Sequence, residues 1–407
     1  MEKIAKNHKQ ITLDQGVANQ LRESALGTEP ITGLTHNFYH YPARFSPNFV
    51  RQVIQNFTKP GDLVLDPFLG GGTTVVEARA LGRRAIGVDI NSLATFISKA
   101  KTTLLSKEDM REINKWLLKL PKNMNLHTSI DLDNEWVAYY KNINCQQTWP
   151  IRKSIQLAIN NILKLPSFKQ RRFSRCALLK TAQWALDSRK QIPSASEFRY
   201  KFTLNAEGML DSINDYASIV RQADKQWSAG GLRRIKILNR TAIGIEKDDG
   251  LSGLPKPRLI LTSPPYPGVH ILYHRWQIQG RRETPAPYWI ADKLDGSGAS
   301  YYTFGDRKEH ALTSYYTNTY KAFHSLSKLA GRKTMLVQVI AFSEPSWQLP
   351  LYLDILQEVG FEEHKISKLA NAKDGRLWRH VPNRKWFADF QGETSSSKEV
   401  ILFHRLK

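Results

Sequence analysis

Hydrophobic positions in this chain fall in short unbroken runs bounded by glycine or proline, the signature of strands covered on both faces rather than of half-exposed ones. Residues 62–69, Asp-Leu-Val-Leu-Asp-Pro-Phe-Leu, follow the Pro60-Gly61 turn and run into Gly70-Gly71-Gly72. The spacing predicts a buried strand, a glycine turn, and a helix over 73–81 with Val75, Ala78 and Leu81 inward and Gly82 at its C-terminus. A second strand is expected over 84–89, closing on Asp89, with Asn91-Ser92 placed to cap the next helix. Strand, turn, helix and strand in that order make half of a doubly wound parallel sheet.

From about Lys107 to Arg234 the period becomes helical, as in 110–118, with interruptions at Pro121, Pro150, Pro166 and Pro193 and no strand pattern. This reads as a mostly helical insertion over 105–234, between a first segment over 36–104 and a second over 235–407. The sheet is expected to resume at 235–238, 242–245 and 257–262, with further strands at 334–340 and 399–403. A helix over 347–359 and a strand over 361–366 complete the pattern, the latter as partner in a terminal antiparallel pair.

Charge narrows the partner. The 407 residues carry 59 Lys and Arg against 37 Asp and Glu, a formal charge of +22. Self-repulsion on that scale disfavours a compact state unless a polyanion or its counterions compensate, and cations that neutralise phosphates gain free energy by releasing condensed counterions. Nucleic acid is therefore the favoured partner. The 105–235 segment holds 22 of the basic residues against 12 acids, including Lys169, Arg171, Arg172 and Arg175, and reads either as a solvated helical face or as a surface along a phosphate backbone. No window approaches the about 18 apolar residues a membrane span needs, and the first eight residues lack a signal-peptide core, so a cytoplasmic location with no membrane partner is expected. With only Cys145 and Cys176, 31 positions apart, neither a disulfide scaffold nor a metal site is expected.

The first candidate site is 66–74, Asp-Pro-Phe-Leu-Gly-Gly-Gly-Thr-Thr. Glycines let the backbone approach a ligand closely, and the helix start beyond them offers unpaired N–H groups. Asp89, seventeen residues after Gly72, stands where a doubly wound fold places a carboxylate for the hydroxyls of a nucleoside ribose. A dinucleotide Gly-x-Gly-x-x-Gly fingerprint fails at its last glycine, and the Gly-Lys-Ser/Thr of a phosphate loop is absent. The stretch resembles motif I of the amino-methyltransferase family of DNA methyltransferases, Asp-Pro-Phe-x-Gly-x-Gly-Thr-Thr, and agrees at all nine positions. That resemblance implies S-adenosylmethionine as cofactor and a Rossmann-like S-adenosylmethionine-dependent methyltransferase sheet. Asp66, Pro67, Phe68, Gly70, Gly72 and Thr73 would cradle its methionine part, with Asp66 near the amino group, while Asp89 and Asn91 would take the ribose side. About twenty residues upstream, His40-Tyr41-Pro42-Ala43-Arg44-Phe45-Ser46-Pro47 resembles the family segment that closes over the cofactor, bringing Tyr41 and Phe45 into the set. A carboxylate near the cofactor adenine is expected after the third strand, from Asp248 or Asp249.

The second candidate site is Thr262-Ser263-Pro264-Pro265-Tyr266. Two consecutive prolines cannot donate to a ladder and hold φ at about −65°, so the chain stiffens where strand gives way to loop. Such a loop aims the Ser263 side chain and the Pro264 carbonyl at one point, two acceptors for the two N–H groups of an exocyclic amine, with the Tyr266 ring available for stacking. The stretch resembles motif IV of the same family, Asp/Asn/Ser-Pro-Pro-Tyr/Phe, and implies catalytic roles for Ser263, Pro264, Pro265 and Tyr266. Members with Ser first mostly resemble cytosine-N4 enzymes, and those with Asp or Asn adenine-N6 enzymes.

The resemblance implies a site-specific DNA methyltransferase acting on a flipped-out base in double-stranded DNA, with cytosine N4 favoured, as in restriction–modification with a cognate endonuclease. The alternatives are adenine N6, an RNA methyltransferase acting on a guanine amine in tRNA, and a catalytically dead nucleic-acid-binding module. Arginines interleaved with aromatics after motif IV (Arg275, Arg281, Arg282) and in the loop over 376–386 (Arg376, Arg379) are the expected phosphate contacts. About 190 residues separate the two motifs, because the insertion precedes the third strand, a departure from the usual family layouts.

Overall fold

The computed structural model describes residues 13–28, 32–41, 45–129, 134–225, 235–267, 275–280, 282–296, 304, 309–380 and 398–407. Strands β1 (Leu63–Asp66), β2 (Arg84–Asp89), β3 (Ile235–Asn239), β4 (Leu259–Thr262) and β7 (Met335–Ala341) lie parallel, in the order β3-β2-β1-β4-β7. Beyond β7 comes β10 (Lys398–Leu406), antiparallel to β7, to β8 (Phe361–Glu363) and to β9 (Leu377–His380). β5 (Trp276–Ile278) and β6 (Arg282–Thr284) form a separate hairpin. The fold is therefore the expected α/β doubly wound sheet, with its antiparallel strands at one side.

Why these runs become central strands is visible in their burial: every residue of β1, β4 and β7 is buried, as the unbroken apolar pattern requires. One face packs under α1 (Gln15–Leu26), α2 (Pro47–Phe57) and α3 (Thr73–Ala80), where Val50, Val53, Val75 and Ala78 meet Val64, Leu261, Val337 and Phe403. The opposite face packs under α10 (Glu309–Leu329) and α11 (Pro345–Glu358), where Phe323, Leu326, Tyr352 and Leu356 meet Leu65, Ile260, Leu336 and Leu402.

The strand order runs outward from β1 in both directions, so β1 and β4 flank a topological switch point, and in open α/β sheets ligands bind beyond the carboxyl ends of the strands at such a point. Both sequence motifs leave the sheet there.

Between α4 (Ser92–Thr102) and β3 stand α5 (Lys107–Asn123), α6 (Trp149–Ile162), α7 (Phe168–Leu186) and α8 (Ala195–Lys225). Three of the four prolines mark helix starts: Pro150 lies in the first turn of α6, Pro166 precedes the Ser167 cap of α7, and Pro193 lies just ahead of α8. Pro121 does not end its helix; it sits in the last turn of α5, where few hydrogen bonds remain to be lost. These helices share one core with α4 and with α9 (Ala286–Ala291), through Leu117, Phe173, Phe202, Leu93 and Tyr288.

Two expectations are corrected. The run 242–245 is not a strand: Gly244, at φ +73°, turns the chain into a short 3-10 helix over Ile245–Lys247, and its N–H donates to Ser325 Oγ on α10 (2.8 Å). The stretch beginning at Arg376, expected as a loop, instead opens with β9, paired along β10. Among the described residues no helix is long and apolar enough to cross a membrane.

Candidate active site at the carboxyl ends of β1 and β4

Asp66 closes β1 and is 2% exposed. Its Oδ1 accepts the Phe68 N–H (3.2 Å) and the hydroxyl of Thr262, the last residue of β4 (2.7 Å). Burial pushes its carboxyl up to about 6 against the pull of those hydrogen bonds, and the nearby charge of Asp89 adds to the rise. The chain then turns through Gly70 (φ +48°) and Gly72 (φ +80°), conformations that L side chains rarely adopt. At Gly72 there is a second reason for glycine, since a Cβ there would stand 2.4 Å from Ser98 Oγ on α4.

The turn is held from outside the motif. Lys101 of α4, fully buried, donates from Nζ to the Gly71 carbonyl (2.7 Å). Asp89, at the end of β2, accepts the Gly70 N–H on Oδ2 (2.7 Å) and the Asn91 N–H on Oδ1 (2.8 Å). Its carboxyl is likewise pushed up to about 6 by burial, with both hydrogen bonds acting in the opposite sense. Asn91 caps α4, accepts from the Tyr288 hydroxyl (3.1 Å) and donates to Tyr41 Oη (3.3 Å); the Tyr41 ring lies over Gly70, about 3.5 Å from where a Cβ would be.

The residues present fit S-adenosylmethionine. Buried Asp66 and half-buried Asp89 would face a cationic ligand, the glycine turn leaves room for close approach, and α3 opens at Thr73 with its N-terminal N–H groups beyond the turn. Each oxygen of Asp89 accepts one backbone N–H and keeps a lone pair for a ribose hydroxyl.

The second motif lies next to the first. Pro264 is buried, and Ser263, Pro265 and Tyr266 are half-buried. Ser263 Oγ donates to Tyr266 Oη (2.9 Å), which donates to Glu399 Oε1 on β10 (2.7 Å); the Pro265 carbonyl accepts the hydroxyl of buried Tyr315 on α10 (2.8 Å). The Pro264 carbonyl is thereby oriented by a loop fixed on both sides.

Several expected residues are placed elsewhere. Phe45 is buried in the core under α1 and α2, in the cluster that holds Phe49, Val50 and Leu69. Phe68, half-buried, packs against Phe323 on the other face of the sheet (centroids 6.5 Å apart). Asp248 gives one oxygen to Arg240 (2.8 Å) and the other to the Gly250 N–H (2.9 Å), and the Arg240 contact holds it below the usual carboxylate range.

Of the expected arginines, Arg275, Arg376 and Arg379 are paired within the chain. Arg379 is 6% exposed and binds Glu399, and Arg376 binds Glu363 through two nitrogens (2.6 and 2.8 Å) and Asp374 through a third (3.1 Å). Arg275 pairs with Asp295 (3.0 Å), while Arg282 is exposed on β6; Arg281, like 268–274 and 381–397, lies outside the described residues. The basic cluster on α7 is also largely committed within the chain: Arg175, buried, donates to the Ile290 carbonyl at the end of α9 (2.9 Å), Arg171 to Leu165 O and Arg172 to Thr103 Oγ1. Guanidinium groups take such partners because one that is desolvated and unpaired is costly.

Lys101, Ser98, Tyr315 and Glu399 are neighbours of the two motifs that the sequence did not single out, while Thr262 stood at the head of the second motif without a role of its own. Thr262 had a signal, since it ends a strand just before the Ser-Pro-Pro-Tyr loop. Glu399 had none, standing 133 positions from Tyr266 in an ordinary β-run.

Residues 6–99 match the family model described as DNA methylase. The type II methyltransferase M.BsoBI of Geobacillus stearothermophilus is 24% identical over 252 residues, 57% of this chain and 49% of that protein. The type II methyltransferase M.MjaII of Methanocaldococcus jannaschii is 34% identical over 83 residues, 20% of this chain and 15% of that protein. The DNA adenine methyltransferase YhdJ of Escherichia coli K12 is 39% identical over 59 residues, 14% of this chain and 20% of that protein. The matches thus span about half or less of the length of these relatives. Two motifs thus meet at one switch point in a chain whose residues 6–99 are similar to DNA methylases and whose longer match is to a type II methyltransferase.

Proposed function

We propose that this protein transfers the methyl group of S-adenosylmethionine to the exocyclic amine of a base extruded from double-stranded DNA at a short specific sequence, with cytosine N4 as the favoured acceptor. The observation that carries the reading is the Thr262–Asp66 hydrogen bond (2.7 Å), which puts the cofactor corner and the Ser-Pro-Pro-Tyr loop side by side. A restriction–modification setting, with an endonuclease of the same specificity, is the context in which such an activity is expected.

The bound cofactor supplies an electrophilic methyl on a sulfonium. The chain must supply a competent nucleophile, and an aromatic amine is a poor one because its lone pair is delocalised into the ring. Ser263 Oγ and the Pro264 carbonyl would accept its two N–H groups, draw the nitrogen toward tetrahedral geometry and orient its lone pair; as the N–C bond forms the S–C bond would break, the thioether leaving and one amine proton passing to water. The rigidity of the loop, with prolines at 264 and 265 and Tyr315 on the Pro265 carbonyl, keeps these acceptors in place without reorganisation. A base inside the duplex hides this amine in its pairing, so it must leave the stack, and the half-exposed edge of Tyr266 offers it a surface.

The experiment is incubation with isotopically labelled cofactor and either genomic DNA or bulk tRNA, followed by mapping of the modified base. N4-methylcytosine in DNA is the expected product. Transfer to tRNA alone overturns the reading in favour of an RNA guanine-amine enzyme, and DNA binding without transfer favours a binding module. Adenine N6 is the second reading, favoured by the matched segment of a DNA adenine methyltransferase, and N6-methyladenine at the mapped site would establish it.

A further inference from the structure

Arg379 and Glu399 stand directly opposite each other on β9 and β10. Arg379 binds Glu399 Oε2 through Nε (2.8 Å) and Nη2 (2.7 Å), and both side chains are 6% exposed. The other oxygen, Oε1, faces the catalytic loop and accepts from Tyr266 Oη (2.7 Å), which receives Ser263 Oγ (2.9 Å). A buried ion pair on the antiparallel edge of the sheet is thus wired to the nucleophile-orienting serine through one phenol.

We propose that Glu399, held by Arg379, is a positioning residue that fixes the direction of this hydrogen-bond chain and so keeps Ser263 an acceptor toward the target amine. The inference deepens the methyl-transfer reading and rests on it. The argument is an inventory of protons. A carboxylate paired with a guanidinium can only accept, so the single phenol proton of Tyr266 goes to Glu399. Tyr266 Oη can then only accept from Ser263, which commits the single hydroxyl proton of Ser263 and leaves its lone pairs facing outward. An amine presents protons, and a hydroxyl locked as acceptor is the partner it needs. Without the anion at 399 the phenol is able to donate to Ser263 instead, the serine proton turns toward the incoming amine, and donor meets donor. Arg379, expected at the sequence level to clamp DNA phosphate, acts here two residues removed from the chemistry.

The test is a double-mutant cycle on the full-length protein. Single-turnover methyl transfer to DNA from labelled S-adenosylmethionine is measured for the wild type, Tyr266→Phe, Glu399→Gln and the double variant, with cofactor affinity by calorimetry and the Michaelis constant for DNA alongside. Tyr266→Phe keeps the stacking ring and the Glu399–Arg379 pair, so it remains decisive even where Glu399→Gln unsettles the fold. Each single variant is expected to slow transfer by about tenfold or more, with cofactor affinity and the DNA Michaelis constant within about twofold, and the double variant is expected to be no slower than the slower single. Wild-type transfer rates in Tyr266→Phe, or losses that multiply in the double variant, overturn the inference alone. Absence of transfer to DNA by the wild type overturns the underlying reading and the inference with it.

Discussion

Thr262 and Asp66, 196 residues apart in sequence, are joined by a hydrogen bond of 2.7 Å across the switch point of the sheet. The bond ties the residue before Ser263 to the carboxylate that ends β1, so movement of either corner is felt by the other. Both groups are buried, and a buried acceptor that loses its donor is costly.

Replacing Thr262 by Val keeps the shape and removes the donor. We expect a loss of about 1–3 kcal/mol in unfolding free energy and weaker cofactor binding, because the protonated, neutral form of Asp66 becomes easier to populate. Chemical denaturation and calorimetry measure the two effects; a variant indistinguishable from wild type in both would show that the bond couples nothing.

The pH dependence follows from two carboxyls raised to about 6. Folded Asp66 and Asp89 bind protons more readily than their unfolded counterparts, whose ordinary values lie near 3.8. Between those values the folded state carries more protons, so the contribution of these groups to stability is full at low pH and is lost as pH rises through about 6, each pKa unit counting for about 1.4 kcal/mol. Cofactor affinity should move the other way, strengthening as pH rises through about 6 and both carboxylates ionise to meet a cation and ribose hydroxyls. Calorimetric titration from pH 5 to about 8 should show that rise, and Asp89→Asn should remove part of it while weakening binding throughout. Affinity independent of pH over this range would rule out both carboxylates as ligands.

Gly72→Ala meets two obstacles at once, a left-handed φ of +80° and Ser98 Oγ 2.4 Å from the new methyl. We expect cofactor affinity to fall by about tenfold or more, with restoration by Ser98→Gly only in part, since relief of the contact leaves the backbone strain of roughly 1–2 kcal/mol. Full restoration would assign the whole effect to Ser98.

How much of this was legible in the sequence divides along a physical line. The central strands, the glycine turn and the proline loop were readable because each is set by a local pattern: unbroken apolar runs, positive-φ glycines, residues without a donor. The strand expected at 242–245 failed because a glycine needed for a turn sat in an apolar stretch that reads as β, and the anchoring of its N–H on Ser325 comes from a helix about 80 residues away. Arg376 and Arg379 were found paired within the chain for a related reason. Composition reveals that a guanidinium is present, but whether it faces phosphate or Glu399 depends on which strand lies beside it, and the pairing of β9 with β10 has no local signature. Lys101 was invisible on the same ground, as an ordinary helix lysine that reaches a carbonyl thirty residues earlier.

The helical segment is fastened to α3 at a point that can be cut. Arg79, on the helix that begins at the glycine turn, binds Asp224 in the last turn of α8 through two parallel hydrogen bonds of 2.6 Å, and Tyr216 of α8 reaches the Val76 carbonyl (3.4 Å). Arg79 is 11% exposed at its side chain against 33% for Asp224, so removal of the acid leaves a largely desolvated cation. We expect Asp224→Ala to cost about 1–3 kcal/mol, below the full value for a buried pair because the acid is partly solvated. Asp224→Asn should recover some of it by retaining one acceptor. If the pair fastens α8 locally, hydrogen exchange should quicken in the last turns of α8 and along α3 while β7 and β10 stay protected, since local opening draws on the least-packed contacts first. A uniform loss of protection would mean that the helical segment and the sheet unfold as one unit, and an unchanged denaturation midpoint would mean that the apolar contacts of α8 hold it without the ion pair.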